Sequence, residues 1–293
     1  MPAVPELIKK KQKNLVIEYP GGSFDFSKKT YIMGILNVTP DSFSDGGRYY
    51  SSKDAVERGL VMSDEGADMI DVGGESSRPG SLPVSAEEEM RRVLPVVEKL
   101  SGRLKIPISI DTCKASVAER SLETGARMIN DISALRFDHD MGRVAAHFQV
   151  PVVLMHMRGY PANMQDNVVY YSLVSEITEF LKERIEEAER MGISSGRIII
   201  DPGIGFGKSV IEGNLAIIKQ LSLLQSLNKP ILIGPSRKSF IGKILDEDGE
   251  ARDEGTAIIT AIAINNGANI IRVHDVKRLK KVVKIMDTLK MIN

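Results

Sequence analysis

The chain has 293 residues, 42% of them apolar and 27% charged, with 39 basic side chains set against 39 acidic ones. That is soluble globular composition with room for one large barrel or two small domains, and zero net charge argues against a protein built to grip nucleic acid or an anionic membrane surface. The single cysteine, Cys113, excludes an intrachain disulfide and a thiolate zinc cluster and suits a reducing, cytoplasmic location.

Residues 1–13 carry Lys9, Lys10, Lys11 and Lys13 without a following apolar stretch, so they read as a solvated basic arm and not as a signal peptide. No apolar run approaches the roughly 18 residues that a membrane-spanning helix needs. Residues 14–293 read as one domain. It opens with a hairpin over Leu15 to Phe26, where alternating apolar residues flank Pro20-Gly21-Gly22; a hairpin placed ahead of a barrel is suited to plugging its bottom.

From there eight short runs rich in β-branched residues begin near Tyr31, Asp68, Pro107, Arg127, Pro151, Arg197, Pro230 and Asn269. Helix-like stretches separate them. Runs such as Ile198-Ile199-Ile200 and Ile231-Leu232-Ile233 are apolar on both faces, as parallel strands covered by helices must be. The predicted fold is an α/β protein, a single (β/α)8 TIM barrel with an N-terminal β-hairpin. Among the crossovers, Ser85-Ala86-Glu87-Glu88 has the form of a capping box, with Ser85 accepting from the helix start and Glu88 reaching back. Leu173, Ile177, Phe180, Leu181, Ile185 and Ala188 recur at helical spacing until Gly192. Ala257 to Ala263 reads either as a buried crossover or as part of a helix-packed dimer contact.

Each strand ends in polar chemistry, and in this fold strand C-termini converge on one mouth. Asn37 opens a long polar loop, Asn37 to Gly47, and offers an oxygen ligand suited to Mg²⁺. Gly73 to Gly80 lets backbone approach a ligand, with Ser77 and Arg78 as donors. Asp111, Asn130 and Asp201 would enter one cavity, where carboxylates and an amide together suit a flat heterocycle of amino-pyrimidinone character. Ser236-Arg237-Lys238-Ser239 and Arg272-Val273-His274 follow the seventh and eighth strands, where barrels of this kind hold phosphate. Two apparent motifs fail. Pro202 stands where a P-loop needs its first glycine, and Lys208 stands where a dinucleotide fingerprint needs its third. The histidines His139, His147, His156 and His274 lack metal-ligand spacing, so no zinc site is expected.

Taken together, these loops resemble the dihydropteroate synthase family. The first signature is Ile35 to Gly47 and the second Asp71 to Gly80; Asp111-Thr112, Ile129-Asn130-Asp131, Asp201-Pro202-Gly203, Ser236 to Ser239 and Arg272 to Asp275 follow in the family's order. The resemblance implies a transferase of folate biosynthesis joining 6-hydroxymethyl-7,8-dihydropterin diphosphate to 4-aminobenzoate with release of diphosphate. It implies that Asp111, Asn130, Asp201 and Lys238 hold the pterin, with Arg272 stacked beside the ring. Diphosphate falls to Asn37 through Mg²⁺, to Ser77, and to Arg272 and His274, with Val273 between them counted among the substrate-binding residues. Phe43, Pro79, Phe206 and the Lys238 stem line an aminobenzoate slot, with Ser239 facing the carboxylate. Asp111, Lys238 and Arg272 carry the catalysis. The resemblance also implies a homodimer packed through helices late in the chain, and sensitivity to sulfonamides. One residue departs from the family pattern: Ser77 stands where Thr is usual. The rival readings are a pterin-binding domain that passes a methyl group from methyltetrahydrofolate to a corrinoid protein, and a non-catalytic pterin-binding protein.

Overall fold

The computed structural model describes residues 15–39, 52–166 and 168–292. Strands β1 (Val16–Tyr19) and β2 (Gly22–Asp25) pair antiparallel, Val16 opposite Asp25. The turn between them needs Gly21, whose φ of +103° lies where side chains are disfavoured. Ile17 and Phe24 point inward and join Tyr31, Met33, Met69, Met128, Val153, Ile199, Leu232 and Ile270 in one apolar cluster. Those partners lie toward the starts of the barrel strands, so the hairpin does plug the bottom.

Eight parallel strands follow: β3 (Tyr31–Asn37), β4 (Met69–Gly73), β5 (Ile108–Asp111), β6 (Met128–Asp131), β7 (Val152–Met155), β8 (Ile198–Asp201), β9 (Leu232–Ile233) and β10 (Ile270–Val273). They pair in the order β8-β7-β6-β5-β4-β3-β10-β9. The barrel closes between β8 and β9 through an Ile200–Ile231 bridge, with Ile200 N–H donating to Pro230 at 3.0 Å. The helices are α1 (Ser52–Asp64), α2 (Ala86–Ser101), α3 (Ala115–Thr124), α4 (Met141–Phe148), α5 (Leu173–Arg190), α6 (Glu212–Lys219), α7 (Ser239–Leu245), α8 (Asp253–Asn265) and α9 (Val276–Met291).

Strand alternation explains why both faces are apolar. Ile199 faces the barrel interior, whereas Ile198 and Ile200 pack outward into the larger cluster beneath the helices. Leu232 and Ile270 turn inward in the same way, against Ile231, Ile233 and Ile271. The helix pattern read from Leu173 to Ala188 forms α5, and the chain turns at Gly192 with a φ of +92°. The capping box is only half made. Ser85 accepts from Glu88 N–H at 3.2 Å, but the Glu88 carboxylate is taken by Arg92 at 2.7 Å and Arg91 at 2.8 Å. Two guanidinium groups one turn further along outcompete the backbone donor.

Candidate active site

The strand ends deliver their polar groups in one layer. Asn37 lies opposite Gly73, Gly73 opposite Asp111, and Asp111 opposite Asn130 across β3 to β6. A Cβ on Gly73 would stand 3.3 Å from that of Asp111, so glycine gives the carboxylate its room. Arg272 reaches in from β10 and donates from Nε to Asp71 Oδ2 and from Nη2 to Asp111 Oδ2, both at 2.6 Å. Asn130 Nδ2 donates to the same Asp71 oxygen at 2.9 Å. On β8, Asp201 Oδ1 accepts from Gly203 N–H at 2.7 Å. Lys238 caps the start of α7, and its ammonium sits 4.3 Å from the centre of the Phe206 ring. Arg237 adopts the left-handed conformation, φ +56°, and its guanidinium is held by Asp253 at 2.9 and 3.0 Å. It therefore fixes the loop that aims Lys238 and is not a free surface cation.

Asp111, Asn130, Asp201, Ser77, Phe206, Lys238 and Arg272 line one inner pocket, which opens onto an outer cavity of about 920 Å³. Asn37, Ser77, Arg78, Pro79, Phe206, Lys238, Ser239, Arg272 and His274 face that outer cavity. Two predicted residues do not join them. Val273 is buried in the cluster beneath the helices, because alternation along β10 turns it away while Arg272 and His274 turn in. Phe43 lies outside the described residues. Sequence reasoning missed the apolar walls, Ile132, Met155 and Ile204 inside and Met164 outside. It also missed Asp71, although an acid in Met69-Ile70-Asp71-Val72-Gly73, a strand buried throughout, was a readable signal. Two other strand-end residues serve the scaffold. Asp131 accepts from Ser133 and Leu135 N–H at 2.8 and 2.7 Å, and His156 Nδ1 meets the fully buried Lys208 at 2.8 Å.

Burial sets the electrostatics. It raises the Asp201 carboxyl to about 6, against the opposing pull of Gly203 N–H and Lys238. It also raises Asp111, although Arg272 pulls the other way. Lys238 falls to about 8, through burial first and the nearby Arg272 charge second. Burial would depress Arg272 as well, but Asp71 and Asp111 outweigh it and hold the guanidinium firmly protonated. His274 is lowered to about 3 by burial and by Arg237 and Arg272, so it is neutral at pH 7, with Nδ1 2.9 Å from Ser236 Oγ. The segment after β10 thus presents one cation, Arg272, and one neutral imidazole, His274. The acceptors and donors of the inner pocket suit the polar edge of a planar heterocycle, and the cationic and hydroxyl groups at its mouth suit an anion.

The sequence pattern of the pterin binding enzyme family matches residues 33–274. The dihydropteroate synthase of Synechocystis sp. is 46% identical over 91% of this chain and 92% of its own length. A solved Xanthomonas albilineans dihydropteroate synthase with 4-aminobenzoic acid superposes with a TM-score of 0.89 at 40% identity, covering 96% of this chain and all of that one. The Yersinia pestis enzyme in a sulfonamide drug complex superposes with a TM-score of 0.90 at 41% identity, over 95% of this chain and 100% of that one.

Proposed function

We infer the function from one premise: this chain belongs to the pterin binding enzymes, and among them to the dihydropteroate synthases. It is a transferase that condenses 6-hydroxymethyl-7,8-dihydropterin diphosphate with 4-aminobenzoate, giving 7,8-dihydropteroate and diphosphate. The observation that carries this reading is the adjacency of the two cavities. A pocket lined by Asp111, Asn130, Asp201 and Lys238 opens onto a mouth lined by Arg272, Arg78, Ser77 and His274.

The carboxylates accept from the amino and ring N–H groups of the pterin, and Lys238 donates to its carbonyl. The carbon that loses diphosphate is conjugated to the ring, so positive charge spreads into the pterin as the bond breaks. Asp111, beside the ring, stabilises that charge. Arg272 lies between the two cavities and favours charge building up on the departing diphosphate, with Arg78 and Ser77 as further donors. The aminobenzoate amine then attacks from a slot walled by Phe206, Pro79, Met164 and the Lys238 stem, and Ser239 faces its carboxylate. No covalent enzyme intermediate is needed.

Among the described residues, no group of three His, Cys, Asp or Glu could cage a metal. The amide oxygen of Asn37, with the Ser77 hydroxyl on the same cavity wall, instead fits a Mg²⁺ ion that arrives with its diphosphate and keeps most of its waters. Bound there, the ion would neutralise leaving-group charge. The homodimer is supported by apolar side chains left exposed on α8 and α9, Ile258, Ile262, Ile285 and Leu289. Among the described residues no helix is long and apolar enough to cross a membrane; the lone Cys113 is in keeping with a cytoplasmic location.

The test is diphosphate release from dihydropterin diphosphate with Mg²⁺, with and without 4-aminobenzoate, in the wild type and in Lys238→Ala. Release that depends on aminobenzoate, yields dihydropteroate and is crippled in the variant is expected. Pterin binding without release would overturn the synthase reading and leave the methyl-transfer one. Sulfonamides are expected to compete with 4-aminobenzoate.

A further inference from the structure

None of the roles above uses Asp71, yet its carboxylate is fully buried in β4 and connects two groups that face the ligand. Its Oδ2 accepts from Asn130 on β6 at 2.9 Å and from Arg272 on β10 at 2.6 Å. These strands lie two places away on either side of β4. The other oxygen, Oδ1, is buried with no partner among the described residues. A half-satisfied buried carboxylate costs stability relative to an apolar residue, so its presence calls for a reason outside packing.

The donor and acceptor inventory supplies one. A carboxylate only accepts, so Asn130 must turn its NH₂ toward Asp71 and its carbonyl oxygen toward the inner pocket. Arg272 commits Nε to Asp71 and Nη2 to Asp111, which fixes the plane of its guanidinium at the junction of the two cavities. We propose that Asp71 is the positioning residue of this site: it sets the amide sense of Asn130 and the plane of Arg272. The ligand must then present an N–H donor opposite Asn130. The proposal rests on the pterin reading above.

The test is a charge swap in the full chain, comparing Asp71→Asn, Asn130→Asp and the double variant. Affinity for 6-hydroxymethyl-7,8-dihydropterin is read by calorimetry, KM for 4-aminobenzoate by steady-state kinetics, and folding by thermal melting. Removing a charged hydrogen-bond partner from a buried site should weaken pterin binding by about tenfold or more, with KM for 4-aminobenzoate within about twofold. Asn130→Asp places two carboxylates together and should bind worse than the wild type. In the double variant the amide introduced on β4 donates to the carboxylate introduced on β6. That carboxylate still offers an acceptor to the ligand, so affinity should return to within about threefold of wild type. Undiminished pterin affinity in Asp71→Asn would overturn the proposal, as would a double variant no better than the worse single. If Asp71→Asn does not fold, a folded double variant decides: near-wild-type affinity supports the proposal, and absent binding overturns it. A wild-type protein that binds the pterin but releases no diphosphate would defeat the synthase reading and leave this proposal standing. A wild-type protein that binds no pterin would defeat both.

Discussion

Asp201 shows how the site trades stability for chemistry. Its carboxyl titrates near 6 in the folded protein, above the usual carboxylate range, because burial penalises the charged form. The folded state therefore holds a proton that the unfolded chain has released. The stability this contributes is complete below about pH 4 and lost as pH climbs past about 6, leaving a cost at neutrality of up to about 3 kcal/mol. Asp201→Asn removes the ionisation and keeps an acceptor for Gly203. It should raise the melting temperature at pH 7.5, the gain vanishing near pH 4, while kcat/KM for dihydropterin diphosphate falls by about 100-fold. A melting temperature at pH 7.5 no higher than wild type would sink this account. Activity should follow a bell, failing on the acid side as Asp201, near 6, and Asp111, also raised by burial, take up protons, and above about pH 8 as Lys238 loses its own. Ser77 faces both cavities, so Ser77→Thr adds a methyl at the aminobenzoate side and should lower KM for 4-aminobenzoate by up to about fourfold; a raised KM would mean that the slot is already full. Asp111, Asn130, Asp201 and Lys238 were legible in the sequence because strand ends of a barrel share one mouth. Val273 was named with its motif, and motif membership says nothing of which way a side chain points; this one turns beneath the helices. Asp71 was overlooked because its partners, Asn130 and Arg272, are 59 and 201 residues away in sequence.

At the scale of elements, the β-branched runs were readable because both faces of every barrel strand are buried. The run from Pro230 shrinks to the two residues of β9, since prolines at 230 and 235 withhold N–H donors from the ladder. Pairings between elements were not readable, such as Lys114 reaching Glu75 at 2.7 Å and the buried Glu89 at 2.6 Å, which ties the loop bearing Ser77 to α2. The hairpin was legible from its turn, and its role follows from position. Phe24 is 2% exposed and meets Tyr31 edge-on with ring centres 5.1 Å apart, at the end of the barrel opposite the site. Phe24→Ala should therefore cost about 3–5 kcal/mol in chemical denaturation while kcat/KM stays within about twofold of wild type. A large loss of activity in the folded variant would show that the plug shapes the mouth.

At the scale of the whole molecule, α8 and α9 each leave a pair of apolar side chains exposed, a surface suited to the proposed contact with a second copy. Ile258 and Ile262 on α8 are 60% and 43% exposed, and Ile285 and Leu289 on α9 are 62% and 54% exposed. Each pair is spaced four residues apart and so shares a helix face. The inner side of α8 is occupied with the site: Asp253 holds the Arg237 guanidinium, and Thr256 Oγ1 accepts from Arg237 N–H at 3.1 Å. One helix thus offers an apolar face to solvent and braces the loop carrying Lys238 and Ser239 on the other side. Ile258→Glu with Ile262→Glu should give a monomer in sedimentation, since charge on this face opposes its burial. Neither isoleucine lines the two cavities, so the monomer should keep turnover at saturating substrate within about threefold. KM for 4-aminobenzoate should rise, because α8 loses its outer support and the Arg237 loop loosens. Sedimentation unchanged from wild type would remove α8 from the contact. A monomer with an unaltered KM would mean that α8 holds the Lys238 loop without help from its partner.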